Sequence, residues 1–226
     1  MGSGNSVTRI SLILWDYSGV LVEDAQFDVA LLHTAFRLPK DSWLGIVREF
    51  TELEGAWDKV ERGEASLSWF SAELNRRVLD SGGIANHEAG KHIWWGGVGF
   101  PTRRTVRHGL FDLINEIASM FTMGIATNNV SEARSVWQQT IPMETFTHVF
   151  DSSEVGARKP ELAYWDHVET ATGIPPHEIL LIDDRDGNVL AAQSRGWNAI
   201  IFISESQCIS DIYDILGIES EKRSGS

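Results

Sequence analysis

The sequence predicts an α/β protein: a doubly wound parallel sheet with a helical domain inserted after its first strand. Three observations predict it. Short runs rich in Ile, Leu, Val, Phe and Met recur along the chain, apolar on both faces as buried parallel strands are. Helical patterns alternate with them, which is the signature of a sheet covered on both sides. Residues 24–100 instead read as successive amphipathic helices with no convincing strand.

The first apolar run spans residues 9–15 and stops at Asp16. Tyr17, Ser18 and Gly19 follow before the chain turns apolar again at Val20 and Leu21. In the next segment FDVALLHTAF, SWLGIVREFTEL and LSWFSAELNRRVL each read as an amphipathic helix. SGG at 81–83 and GGVG at 96–99 punctuate the far end of this insertion. Residues 105–119 then carry Val106, Leu110, Leu113, Ile114 and Ile117 on one helical stripe. Runs at 120–126, 179–182 and 198–203 are further strands, and THVFDSS is a weaker one ending near Phe150. ELAYWDHVETATG places Leu162, Trp165 and Val168 on one face, and Gly173 closes that helix. The expected division is a core of residues 8–23 and 101–220, a helical cap of residues 24–100, and disordered tails at 1–7 and 221–226. One α/β domain carrying extra helices on a face is the alternative; the length of the insertion favours a separate lid.

Composition narrows the function. The 226 residues hold one large domain, or a core with a smaller insert. The net charge of -13 disfavours a protein that grips a nucleic-acid backbone, which needs clustered Lys and Arg. It leaves open a small anionic substrate, because a bound metal reverses the field locally. Cys208 is the single cysteine, so no intrachain disulfide forms and a reducing, cytoplasmic compartment is expected. No secretion signal or membrane span is visible. The expected state is a monomer or homodimer.

Ligands of a parallel sheet collect outside the carboxyl ends of its strands. Three strands here end in polar groups: the first in Asp16, the second in Thr127, Asn128 and Asn129, and the fourth in Asp183 and Asp184, with Asn188 one helical turn on. GARKPEL, with Lys159 before Pro160, lies between the second and the fourth. Each feature alone has an ordinary explanation. An Asp after a strand is usually a turn former or helix cap, and Thr-Asn-Asn is usually a helix entry. The adjacent carboxylates Asp183 and Asp184 say more, since they repel unless a cation is near. The ordered set at one sheet edge is not explained by chance.

The constellation resembles the haloacid dehalogenase-like hydrolases over most of the chain. DYSGVL is similar to the first family motif, IATNN to the second, ARKP to the third and IDDRDGNVLAAQSRGW to the fourth. The helical insertion after the first motif looks like the cap of the subfamily that carries it there. The resemblance implies that Asp16 is the nucleophile, forming an aspartyl-phosphate that water hydrolyses. It implies Mg²⁺ held by the Asp16 side chain, the Ser18 backbone carbonyl and the Asp184 side chain, with Asp183 and Asn188 orienting its water. Lys159 would offset charge, and Thr127 with Asn128 would hold the phosphoryl oxygens.

Ser18 departs from the pattern. Family phosphatases usually carry a second Asp there, which protonates the leaving oxygen and then activates water. A serine keeps the carbonyl but is too weak an acid, and losing such a group costs about 10²- to 10⁴-fold. Tyr17 does not repair the loss, because neighbours on an extended segment point oppositely. Glu23 and Asp24 are the nearest other acids. Four readings follow. The preferred one is a Mg²⁺-dependent phosphatase of a small phosphorylated metabolite whose leaving group needs little acid help. The others are a phosphate-binding or regulatory protein with weak turnover, a phosphotransferase or carbon–phosphorus hydrolase, and a dehalogenase, which would leave Asp183 and Asp184 unexplained.

Nine tryptophans are many for this length, and Trp43, Trp57, Trp69, Trp94 and Trp95 lie in the insertion. Most are expected in the core, with Trp94 or Trp95 a candidate stacking surface. His33, His87 and His92 are too scattered to form a metal site.

Overall fold

The computed structural model describes residues 9–24, 34–39, 42, 45–46, 55–86 and 104–218. Five parallel strands form one sheet: β1 Leu12–Trp15, β2 Thr122–Thr127, β3 His148–Asp151, β4 Ile179–Asp183 and β5 Asn198–Ile201. Their spatial order is β3-β2-β1-β4-β5. The chain thus builds outward on one side of β1, then returns to build on the other. That reversal leaves a crevice at the carboxyl end of β1.

The strands are short and apolar because both faces are covered. Ile13, Trp15, Ile125 and Ile182 point into one cluster, while Leu12, Leu14, Ala126 and Leu181 point into the other. Alternation along each strand therefore separates two cores rather than a core from solvent. The eight longer helical elements among the described residues are α1 Ala56–Glu61, α2 Leu67–Asp80, α3 His108–Ile117, α4 Arg134–Trp137, α5 Ser152–Val155, α6 Leu162–Thr172, α7 Asp186–Ser194 and α8 Glu205–Leu216. Tyr164 and Trp165 of α6 bury on one face of the sheet. Leu110, Ile114 and Ile117 of α3, with Ile212 of α8, cover the other. Gly173 ends α6 in the left-handed conformation.

The described part of the insertion is helical, as its pattern predicts. Ser66 caps α2 by accepting the Trp69 N–H at 3.1 Å. Phe70, Leu74 and Val78 of α2, Val60 of α1, and Phe36 and Leu38 belong to the same apolar cluster as Ile13 and Trp15 of the sheet. The short helix α1 was not among the expected helices. Most of FDVALLHTAF and SWLGIVREFTEL, together with GGVG, His33, His87, His92, Trp43, Trp94 and Trp95, lies outside the described residues. Among the described residues, no helix is long and apolar enough to cross a membrane.

The chain leaves the sheet for the insertion and returns to it through one small pairing. Val22 bridges Val106 antiparallel, the Glu23 N–H donates to Thr105 C=O at 2.9 Å, and the Arg107 N–H donates to Leu21 C=O at 3.0 Å. On the far side, the turn after α1 touches α5 backbone to backbone. Gly63, at φ +70°, has no room for a Cβ, which would sit 2.4 Å from Ser153 O. Gly63→Ala is therefore expected to lower stability by about 1–3 kcal/mol through combined strain and steric displacement. Denaturant unfolding of the two proteins checks it; an unchanged midpoint would show that the turn does not press on α5.

Candidate active site

Strand register assembles the site. Trp15 pairs with Ile125 on one side and Ile182 on the other. The next residues, Asp16, Ala126 and Asp183, therefore come level on three adjacent strands. Lys159 reaches all three: its Nζ lies 3.1 Å from Asp16 Oδ2 and 2.6 Å from Asp183 Oδ2, and it donates to Ala126 C=O at 2.6 Å. Lys159 is 1% exposed, so nearly the whole cation has left water.

The surrounding chain holds this ammonium in place. Asn128 accepts the Lys159 N–H and donates its side-chain N–H to the Lys159 C=O, both at 2.8 Å. Its side chain is thus engaged with the Lys159 backbone, whereas the expectation gave it phosphoryl oxygens. Asp183 is fully buried and accepts from Lys159, from the Arg185 N–H at 2.9 Å, and from Asn188 Nδ2 at 2.9 and 3.0 Å. Asp183, expected with Asn188 to orient metal-bound water, accepts from Lys159, and Asn188 holds the Asp183 carboxylate.

Thr127 ends β2 at 0% exposure. Its Oγ1 is a buried polar atom with no hydrogen-bond partner among the described residues. Such an atom costs free energy unless a ligand satisfies it. Asp184 Oδ1 is orphaned in the same way. The Asp184 carboxylate packs against Gly19, at φ +87°, where a Cβ would lie 2.3 Å from Asp184 Oδ2. A glycine is needed there for both backbone and space.

The electrostatics are those of a cation site. One carboxylate oxygen each from Asp16, Asp183 and Asp184 lie within 4.8 Å of one another. Burial pushes the Asp16 carboxyl up, Lys159 pulls it down, and Asp183 and Asp184 push it up again, leaving it at about 7. Burial and Asp183 likewise raise Asp184. Burial opposes the charge on Lys159, but Asp16 and Asp183 outweigh it and hold the ammonium above its usual range. The donor set is all oxygen and includes the orphaned Asp184 Oδ1, which fits a hard divalent cation.

Ser18 does not stand alone. Its hydroxyl donates to Asp24 Oδ1 at 3.0 Å and accepts a hydrogen bond from Arg104 Nη1. Tyr17 points away from the cleft, as strand alternation predicts; it is 2% exposed and packs on Trp137 at a ring distance of 5.1 Å.

A second ionic group joins α1 to the loop carrying Lys159. Arg158 donates to Asp58 and lies 2.6 Å from Glu61 Oε2. Trp57 Nε1 donates to Glu61 Oε1 at 2.8 Å, and Arg62 pairs with Glu161 at 2.7 Å. Burial raises the Glu61 carboxyl, while Arg158 and Trp57 oppose that. Arg185 lies in the combined field of Glu61, Asp16, Asp184 and Asp24, which more than offsets its own desolvation. Asp58, Glu61, Arg104, Arg158 and Arg185 were not among the expected site residues. Adjacency gave a signal for two of them: Arg158 precedes Lys159, and Arg185 follows Asp184.

A family model for haloacid dehalogenase-like hydrolases matches residues 10–196. The chain belongs to this family. Its fold is similar to that of a predicted HAD-like family hydrolase of Porphyromonas gingivalis, with TM-score 0.68 and 20% identity over 93% of this chain and 99% of the other. It is also similar to a HAD family enzyme of Bacteroides thetaiotaomicron in complex with magnesium and inorganic phosphate, with TM-score 0.60 and 22% identity over 85% and 93%. An L-2-haloacid dehalogenase of Xanthobacter autotrophicus with chloropropionic acid covalently bound gives TM-score 0.59 and 15% identity over 91% and 83%. Among curated proteins, drimenol cyclase of Aspergillus calidoustus is 30% identical over 77 residues, 34% of this chain. The match spans only 15% of that relative's length.

Two outcomes follow from the site. Gly19→Ala should displace the Asp184 carboxylate and weaken Mg²⁺ binding at least tenfold while the circular dichroism spectrum is kept; calorimetric titration with MgCl₂ reads it, and an unchanged affinity refutes it. The second concerns pH. The folded-state Asp16 carboxyl, at about 7, lies above its ordinary value of 3.8. Between those values the native state binds more protons than the unfolded state, so this group's contribution to stability falls as pH rises. The metal-free protein should lose stability from pH 4 towards pH 7 on this account, and Asp16→Asn should flatten that slope. Denaturant melts of both proteins across the range test it; parallel slopes would refute it.

Proposed function

We propose that the protein is a Mg²⁺-dependent phosphatase acting on a small phosphorylated metabolite through an aspartyl-phosphate on Asp16. The observation that carries this reading is the convergence, at one sheet edge, of a buried carboxylate, a buried ammonium and two orphaned oxygens. Asp16 Oδ2 faces Lys159 at 3.1 Å, and Thr127 Oγ1 and Asp184 Oδ1 lack protein partners among the described residues. In this reading Asp16, Asp184 and the Ser18 carbonyl hold the metal. When bound, Mg²⁺ supplies the positive charge that lets two anions meet.

The chain's own groups do the rest. Asp16 attacks phosphorus, and its carboxyl must be ionised to do so. Lys159 stabilises that ionised form and offsets the negative charge gathered beside it. Thr127 donates its hydroxyl to one of those oxygens, which satisfies its own buried atom. Asn128 acts through the Lys159 backbone. The insertion, residues 24–100, serves as a cap over the site. Support for a phosphate ligand comes from the similarly folded Bacteroides enzyme, which is in complex with magnesium and inorganic phosphate. The partner is then a small molecule rather than nucleic acid or membrane, in the cytoplasm.

A similarly folded dehalogenase supplies a second reading, in which Asp16 attacks carbon and halide departs. That chemistry needs no metal and leaves the Asp16, Asp183 and Asp184 cluster without a use. The two readings separate on turnover with and without Mg²⁺ over a panel of sugar phosphates, nucleotides, aromatic phosphates and 2-haloacids. Phosphate release that requires Mg²⁺, and that falls at least 10³-fold in Asp16→Asn, is the expected result. Metal-independent halide release, or wild-type phosphate release by Asp16→Asn, would overturn it.

A further inference from the structure

We propose that Arg104 is a catalytic residue that stabilises the leaving group as an anion, and that the substrate is a phosphoric anhydride: an acyl phosphate or a diphosphate. This deepens the phosphatase reading and rests on it. The observation is what surrounds Ser18, the position at which family phosphatases carry the acid that protonates the leaving oxygen. Ser18 stands two residues after the nucleophile. Its one hydroxyl hydrogen goes to Asp24 at 3.0 Å, and its oxygen accepts from the Arg104 guanidinium.

The fold fixes this placement. Arg104 lies 86 residues from Ser18 in sequence. The Val22–Val106 bridge and its flanking hydrogen bonds bring the two segments alongside. The guanidinium carbon lies 5.9 Å from the centre of the Tyr17 ring, a cation–π arrangement, and that ring is itself wedged against Trp137. Asp24 lies in the field of Arg104 and completes the cluster. These are side chains from two chain segments, with Ser18 and Arg104 half-buried and Asp24 exposed at the edge.

The chemistry of this cluster selects the leaving group. A guanidinium stays protonated, so it gives charge and N–H bonds but no proton. A serine hydroxyl is no acid, and Asp24 accepts that hydroxyl's hydrogen rather than offering one. An alkoxide departing from an alkyl phosphate needs a proton in the transition state. The oxyanion of a carboxylic or phosphoric acid does not; it needs its developing charge stabilised. In the first step an Asp16 oxygen bonds to phosphorus. The bond from phosphorus to the bridging oxygen breaks with its electron pair on that oxygen, which leaves unprotonated beside Arg104. In the second step water attacks phosphorus, the bond to Asp16 breaks with its electrons on the carboxylate, and both protons of the water leave on inorganic phosphate.

The test uses the full chain with Mg²⁺ and four probes: acetyl phosphate, inorganic pyrophosphate, ethyl phosphate, and a series of aryl phosphates of graded leaving-group acidity. The wild type should hydrolyse acetyl phosphate or pyrophosphate with kcat/KM at least about 10²-fold above ethyl phosphate. Arg104→Gln should lower kcat/KM for that anhydride by about 10²-fold, the loss expected on removing a donor aimed at developing charge. It should also steepen the dependence of rate on leaving-group acidity, leave Mg²⁺ affinity unchanged, and be partly rescued in Arg104→Lys. A structural role would lower all substrates equally, and that outcome overturns the proposal. If Arg104→Gln does not fold, Ser18→Ala, which removes the hydroxyl that accepts from the guanidinium, is read on the same slope; an unchanged slope overturns the proposal. Ethyl phosphate turned over as well as both anhydrides also overturns it and leaves the phosphatase reading standing. No Mg²⁺-dependent turnover of any phosphate overturns both.

Discussion

One buried ammonium organises the carboxyl edge of this sheet. Lys159 Nζ sits where three strands come level and bonds to one group from each: Asp16 of the segment after β1, Ala126 of β2 and Asp183 of β4. Removing such a charge from water costs several kcal/mol before pairing, and breaking one side of a buried pair typically costs about 3–5 kcal/mol. The arrangement survives because every hydrogen on the ammonium has an acceptor within reach. It also ties the β1–β2 and β1–β4 registers to the position of one side chain on a loop outside the sheet. Asn128 clamps that loop from β2's end, and Asn188 with the Arg185 N–H spans the far side of Asp183. Much of the local polar network exists to keep this nitrogen where it is.

The same arrangement explains why the site calls for a further cation. Lys159 is shared between two carboxylates, and a third, Asp184, stands close by. One positive charge does not satisfy three negative ones in a low-dielectric crevice. Burial first, and then Asp183 and Asp184, hold the Asp16 carboxyl at about 7 against the pull of Lys159. Gly19 lets Asp184 pack against the turn after Asp16. The polypeptide has arranged a deficit of positive charge beside Asp16, of the kind an oxygen-liganded divalent ion fits.

The parts of this design that read directly from sequence are those with a local pattern. Four of the five strands fall in short runs rich in apolar residues, and Asp16 and the Asp183-Asp184 pair each end one of those runs, so these carboxylates announce themselves. Lys159 is legible through its neighbour Pro160 and its order among the motifs. What sequence does not show is pairing across distance. Arg158 meets Asp58 across 100 residues and Arg104 meets Ser18 across 86, and neither pair leaves a periodicity to detect. Helix α1 is six residues long, too short for its stripe to stand out. Asn128 is legible by position, but its bonds to the Lys159 backbone are not, since a side-chain amide serves a backbone as readily as a ligand.

The insertion and the chemistry are joined at two places, and the two have different consequences. At its ends, the Val22–Val106 bridge closes the insertion and at the same time brings Arg104 to Ser18. At α1, Asp58 and Glu61 hold Arg158, the residue before Lys159, and Glu61 also adds to the field on Arg185 next to Asp184. Burial holds the Glu61 carboxyl above its ordinary range, while Arg158 and the Trp57 indole oppose that. Helix α1 thus reaches the loop of Lys159 through a carboxylate that is buried and paired at once.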